Sequence, residues 1–228
     1  TKMQEYNNKG TPVAGVIIEP IQGEGGDNHA TPEFFQELQQ VVCNEFGSYL
    51  IVDEVQTGGG VVGDMWLHES WNLPKPPDVV VFSKKTQTGG FYHTEEMRPT
   101  EGYRVFNTWM GDPSKVVLLE AILKVMRDEE LLPKVKKLGQ QIVAGMTELQ
   151  KQYPDQITSP RGLGCFLGVD VRDAALRDKL VKSLLHEKGI NTGGNGSRTL
   201  RLRPSLIFTP KLAELFLDSF DQVLKANK

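Results

Sequence analysis

Two strand-like runs in this chain end in residues that could do chemistry. The first is Tyr49-Leu50-Ile51-Val52-Asp53-Glu54-Val55-Gln56, and the second is Pro77-Asp78-Val79-Val80-Val81-Phe82-Ser83-Lys84. Open parallel α/β sheets bind ligands in the crevice beyond the carboxyl ends of their strands. Asp53 and Lys84 would therefore face one pocket, a carboxylate and a primary amine together. That pairing suits the two ends of pyridoxal 5'-phosphate, which needs a lysine to hold its aldehyde as a Schiff base and an acid beside its pyridinium nitrogen. The chemistry it points to is carbanion chemistry on amines. Each residue also has an ordinary explanation. Paired lysines such as Lys84 and Lys85 are usually solvated, and Asp53-Glu54 is also the pattern of a metal-binding acidic pair. Gly58-Gly59-Gly60 and Gly89-Gly90 read equally as turns, and Glu24 as a surface charge. The signal is the combination.

The elements that must position these residues follow from periodicity. Val13 to Ile18 reads as a buried strand ending at Glu19-Pro20, followed by the loop Gly23-Glu24-Gly25-Gly26-Asp27. Thr31 and Pro32 mark the N-cap and first position of a helix. Phe34, Phe35, Leu38, Val41 and Val42 form its apolar face, and Gly47 ends it. The Asp53 strand, a helical segment from Met65 to Trp71, and the Lys84 strand come next. Strands separated by helices predict a parallel sheet. Beyond it, Asp112-Pro113-Ser114 opens a helix to about Asp128, with Leu118, Leu119, Ile122, Val125 and Met126 as its buried stripe. A second helix runs from about Leu132 to Gln152. Short strands are expected at Gly164–Val171, Gly189–Thr192 and Leu200–Leu206, with helices at Ala174–Lys188 and Pro210–Ala226. The expected fold is α/β with a partial large domain (1–130) built on a mainly parallel sheet and a small C-terminal α+β domain (131–228).

Composition narrows the function. The chain has 228 residues and a formal net charge of −3, with no basic cluster, so nucleic acid is not an expected partner. No apolar run approaches the roughly 20 residues that span a bilayer, so no membrane is expected either. Cys43 and Cys165 are isolated, which suits a reduced compartment, and His29, His68, His93 and His186 lack metal-ligand spacing, so no metal site is expected. The opening Thr1-Lys2-Met3-Gln4 carries neither an initiator Met nor a signal-peptide pattern and reads as the middle of a longer protein.

Four spaced motifs agree with one family. Glu19-Pro20-Ile21-Gln22-Gly23-Glu24-Gly25-Gly26, Asp53-Glu54-Val55-Gln56-Thr57-Gly58, Phe82-Ser83-Lys84-Lys85 and Asn107-Thr108-Trp109-Met110-Gly111 occur in that order. Together they resemble the motifs of class III (omega-amino acid) aminotransferases, of fold type I. The resemblance runs from about Val13 to the C-terminus. Gly25-Gly26-Asp27-Asn28-His29, Gln56-Thr57-Gly58-Gly59-Gly60, Thr88-Gly89-Gly90-Phe91 and Arg201-Leu202-Arg203-Pro204 look most like the members that act on 4-aminobutyrate in animal and fungal mitochondria. Bacterial lysine 6-aminotransferases share several of these motifs.

The resemblance implies an activity and roles. The parent enzyme would use pyridoxal 5'-phosphate to transfer the amino group of 4-aminobutyrate to 2-oxoglutarate, giving succinate semialdehyde and glutamate. A lysine or ornithine omega-aminotransferase is the alternative within the class, and an inactive structural or antigenic fragment the alternative outside it. Lys84 would hold the cofactor and act as acid-base, Asp53 would pair with the ring nitrogen, and Gln56 would hydrogen-bond the ring oxygen. Thr108 would bind the cofactor phosphate of the neighbouring subunit of a homodimer. Glu24 would pair with Arg201, opening when an α-carboxylate must bind, and Glu19 would line the site. The family's phosphate loop, ring-stacking aromatic and distal-carboxylate arginine have no counterpart before Val13, and the chain is silent on the iron–sulfur cluster of animal members. The resemblance places the parent in the mitochondrial matrix, and otherwise in the cytoplasm. The 228 residues alone are expected to be inactive.

Overall fold

The computed structural model describes residues 1–106, 108 and 111–227. In chain order the helices are α1 (Lys2–Asn8), α2 (Pro32–Gln39), α3 (Pro113–Asp128), α4 (Leu131–Gln152), α5 (Ala174–Lys188) and α6 (Pro210–Ala226). The strands are β1 (Gly15–Ile18), β2 (Ile21–Gln22), β3 (Asn28–His29), β4 (Tyr49–Asp53), β5 (Val79–Phe82), β6 (Gly90–His93), β7 (Ile157–Leu163), β8 (Phe166–Val171), β9 (Gly193–Asn195) and β10 (Thr199–Leu202). Two compact units result. The first comprises Thr1–Pro20, His29–Gly59 and Trp66–Lys124; the second comprises Ile21–Asn28, Gly60–Met65 and the chain from Val125 on.

The first unit is built on a sheet of order β1-β4-β5-β6. The Val/Ile-rich runs of β1, β4 and β5 pair in parallel, with Ile18 opposite Val52 and Asp53 opposite Val81. The β6 strand closes the edge antiparallel to β5. A parallel neighbour needs a crossover, and α2 lies between β1 and β4. Its start follows the cap chemistry of the sequence: Thr31 Oγ1 accepts from the Phe34 N–H, and Pro32 occupies the first turn. The helix continues as a π-helical turn over Gln40–Glu45. Phe35 stacks on Trp71 at 3.6 Å between ring centroids, and both join Leu50, Val52 and Val80 in the core. Trp71 ends a 3₁₀ turn over Leu67–Trp71, shorter than the helical segment expected from Met65.

Helix α3 departs from its expected burial. Met126 is buried and Leu119 and Ile122 are half-buried, but Leu118 and Val125 are exposed. At 100° per residue, positions 119, 122 and 126 share one stripe while 118 and 125 lie about 100° to its side. The packed stripe is narrower than the apolar one.

The second unit pairs an antiparallel sheet, β7-β8-β10-β9, with α4, α5 and α6. Val135, Leu138, Ile142 and Met146 of α4 are buried at helical spacing and meet a core that includes Phe166, Leu180, Leu200 and Phe220. Burying each such side chain stabilises the unit by about 1.5–3 kcal/mol. Strand β7 was unforeseen, because Pro160 and Gly162 argue against a strand. The sheet tolerates them because β7 is an edge strand, and its register breaks between Thr158 and Arg161, where Pro160 lies. Strand β9 begins four residues later than expected: Gly189, at φ 67°, is the left-handed C-cap of α5. Strand β10 is shorter than expected and stops before Pro204. Among the described residues no helix is long and apolar enough to cross a membrane.

Candidate active site

The parallel pairing of β1, β4 and β5 brings their carboxyl ends to the same edge of the first unit. Glu19 follows β1 directly, Asp53 is the last residue of β4, and Lys84 lies two residues beyond β5. After Ser83, which is extended, the backbone turns abruptly. Lys84 takes a left-handed conformation at φ 57° and opens a 3₁₀ turn closed by the Gln87 N–H donating to the Lys84 carbonyl at 2.9 Å. Positive φ at a non-glycine residue is uncommon, and such strain gathers at functional sites. The two adjacent lysines differ. Lys84 is exposed, whereas Lys85 is half-buried, its Cβ 3.2 Å from where a Cβ on Gly59 would stand. Lys85 therefore packs against the turn beneath it, and Lys84 is the one presented outward.

Asp53 is half-buried, and its Oδ1 accepts from the Val55 N–H at 3.0 Å, which orients the carboxylate. Gln56 sits half-buried on the turn that follows. Glu54 is fully buried and holds that turn together. Its Oε1 accepts from the His68 N–H at 2.8 Å and lies 2.9 Å from His68 Nδ1, its Oε2 accepts from Thr57 Oγ1, and its carbonyl accepts from the Gly58 N–H at 2.8 Å. Neighbouring residues on extended backbone face opposite sides, so Asp53 and Glu54 do not form an acidic pair aimed at one metal. Gly58 is required by close approach: a Cβ there would fall 2.5 Å from the Trp66 ring.

In the second unit, Glu24 on the Gly-rich loop meets Arg201 on β10 at 2.7 Å. The Glu24 side chain is 71% exposed and that of Arg201 28%. An exposed pair of this kind is worth about 0–1 kcal/mol, so it opens easily.

Thr108 lies exposed in a turn. Its motif neighbours Asn107, Trp109 and Met110 lie outside the described residues. Among the described residues no group of three His, Cys, Asp or Glu side chains is placed to hold a metal, and Cys43 and Cys165 are not joined in a disulfide. Sequence reasoning gave Glu54 only as half of a metal-binding acidic pair and His68 no site role, and passed over the roles of Thr57, Asp27 and Arg203. The signal for Asp27 was its place after two glycines, and in the structure it takes φ 54°.

The fold first defines a class. The chain superposes over its whole length on the lysine aminotransferase of Mycobacterium tuberculosis, in the internal aldimine form, with a TM-score of 0.92 and 30% identity, covering 53% of that chain. This is the α/β fold of the pyridoxal-phosphate-dependent aminotransferases. The family is narrower: the profile of the class-III aminotransferases matches residues 1–224, and the chain belongs to that family. It is 47% identical over 220 residues to the mitochondrial 4-aminobutyrate aminotransferase of Mus musculus, and 44% identical over 224 residues to the probable mitochondrial 4-aminobutyrate aminotransferase of Caenorhabditis elegans. These matches take in 96% and 98% of this chain but 44% and 46% of the relatives, so the chain spans less than half of their length. The family is pyridoxal-phosphate-dependent, and a strand-end amine and an oriented carboxylate are residue types that such a cofactor uses.

Proposed function

We propose that the parent polypeptide transfers the amino group of 4-aminobutyrate to 2-oxoglutarate, giving succinate semialdehyde and glutamate. The observation that carries this reading is the Glu24–Arg201 pair. An enzyme that accepts an omega-amine and then an α-amino acid must neutralise an arginine in one half-reaction and release it in the other, and a weak, exposed pair suits both. Pyridoxal phosphate, when bound, supplies an electron sink for the charge left when a substrate carbon loses its proton. Lys84 Nζ holds the cofactor and moves that proton between carbons. Asp53 keeps a proton on the pyridine nitrogen, and Gln56 hydrogen-bonds the ring oxygen. Thr108 binds the phosphate of the neighbouring subunit in a homodimer, and Glu19 lines the site. Residues 1–130 belong to the cofactor-binding domain and 131–228 to the small domain. The names of the mitochondrial relatives support placement in the matrix.

A lysine or ornithine omega-aminotransferase is the second reading, favoured by the close superposition on the mycobacterial lysine enzyme. Single-turnover measurements on the full-length holoenzyme separate the two. Conversion of 4-aminobutyrate at least about tenfold faster than lysine or ornithine is expected; the reverse order would transfer the assignment to the second reading.

A further inference from the structure

The Gly-rich loop makes two ion pairs with one short stretch of chain, and they differ in burial. Arg201, on β10, reaches Glu24. Two residues on, Arg203 reaches Asp27 three residues further along the loop. The outer acid is largely exposed, while Asp27 is completely buried. Arg203 grips both Asp27 oxygens, Nη2 to Oδ1 at 2.5 Å and Nη1 to Oδ2 at 3.1 Å, with its guanidinium 3.5 Å from the Phe166 ring centroid. Asn195 Nδ2 donates to Asp27 Oδ1 at 2.6 Å and to the Gly23 carbonyl at 2.5 Å.

The loop backbone is held as firmly. Arg161 donates to the carbonyls of Gly26 and Asp27 at 2.6 and 2.9 Å. The Gly196 N–H donates to the Glu24 carbonyl at 3.0 Å. Strand β8 fits beneath Asp27 only because position 168 is glycine: a Cβ there would fall 2.7 Å from Asp27 Oδ2. Opening the outer pair returns the Glu24 carboxylate to water and leaves Arg201 partly exposed, whereas opening the inner one would strand a buried charge.

We propose that Asp27 and Arg203 are positioning residues for the Glu24–Arg201 pair, a buried clamp that fixes the loop so that this pair opens and recloses in register. The inference rests on the reading of Glu24–Arg201 as the substrate switch. Asp27 acts through Glu24: with the loop loosened, Glu24 meets Arg201 less often, and the arginine stays charged and uncovered when an omega-amine substrate is in place.

Asp27→Asn tests this in the full-length protein. Asparagine keeps the shape and tolerates the left-handed backbone, so the change removes mainly the charge. In cofactor-free protein, hydrogen exchange of the Gly26, Asp27 and Gly196 amides should quicken by roughly tenfold or more, while Glu24→Gln should leave it unchanged. In single-turnover measurements on holoenzyme, Asp27→Asn should slow the 4-aminobutyrate half-reaction about tenfold relative to the glutamate half-reaction. Combining it with Glu24→Gln should add nothing to the effect of Glu24→Gln on that ratio. Arg203→Lys keeps the charge without the two-pronged grip, and should move both readouts in the same direction by less; it carries the test if Asp27→Asn does not fold. Unchanged amide exchange, equal slowing of both half-reactions, or additive effects in the double variant would each overturn the positioning role. If Glu24→Gln shifts the ratio and Asp27→Asn does not, only the clamp is wrong. If Glu24→Gln itself leaves the ratio unchanged, the switch reading fails and the clamp's role fails with it.

Discussion

Lys84 and Lys85 carry the same amine, and the sequence motif favours Lys84. The backbone agrees: φ 57° presents Lys84 outward, while the stem of Lys85 packs against Gly59. In the full-length holoenzyme, Lys84→Ala should therefore lower turnover by at least about 10² to 10⁴ with the melting temperature little changed, and Lys85→Ala should retain substantial activity. Peptide mass spectrometry of the borohydride-trapped cofactor adduct checks the assignment, and an adduct on Lys85 would refute it. A second residue-scale expectation concerns Cys43. Burial, reinforced by the negative charge of Asp78, pushes its thiol above the ordinary range, and the thiolate is the nucleophile. Alkylation by iodoacetamide at pH 8 should be slower than that of an unhindered model thiol, and Asp78→Asn should speed it. Reaction of Cys43 at the model thiol's rate would contradict this. Asp53 and Lys84 were legible because both follow apolar, strand-like runs. Glu54 and His68 were not, because a buried carboxylate and its histidine partner look on paper like a surface acid and a loop histidine.

Elements were legible where local chemistry decides them. Thr31-Pro32 at the start of α2 and Thr209-Pro210 at the start of α6 are caps that act through adjacent residues alone, and both form. The misses were elements decided by neighbours: β7 exists because β8 offers it an edge, and β6 because β5 has an open side. Helix α5 provides a test at this scale. Asp173 caps it, accepting from the Leu176 N–H at 2.8 Å. That bond, then the one from Arg172, holds its carboxyl below the usual aspartate range. A pKa depressed by folding contributes stability above the unfolded value, and the contribution is lost as pH falls through the folded value. Asp173→Ala should lower the melting temperature at pH 7, and the difference from the parent should shrink as pH drops below about 4. A difference that persists undiminished at low pH would mean the carboxylate is not what caps the helix.

At the scale of the whole chain, the distribution of apolar surface is the feature to be explained. Each unit has its own core, yet Val116, Val117, Leu118, Leu123 and Val125 of α3 are all more than 40% exposed, and Ile17 on β1 is 62% exposed. The β1 strand is also an edge of its sheet, and an edge strand presents unpaired backbone groups to any second chain. Isolated exposed apolar residues are ordinary, but several on one helix mark a surface that can associate. We therefore expect the purified 228-residue chain to self-associate at micromolar concentration. Sedimentation velocity should show an average mass that rises with concentration, and Val117→Glu together with Val125→Glu should lower it without disturbing the far-ultraviolet circular dichroism of either unit. The same chain should not turn over 4-aminobutyrate at an ordinary enzymatic rate of roughly 1–10³ s⁻¹, because it supplies Lys84, Asp53 and Gln56 but no counterpart of the phosphate loop, ring-stacking aromatic or distal-carboxylate arginine that the resemblance requires. A strictly monomeric chain would show that α3 and β1 are adequately solvated as they stand. Turnover at such a rate would show that the strand-end lysine, carboxylate and amide suffice to hold and use the cofactor.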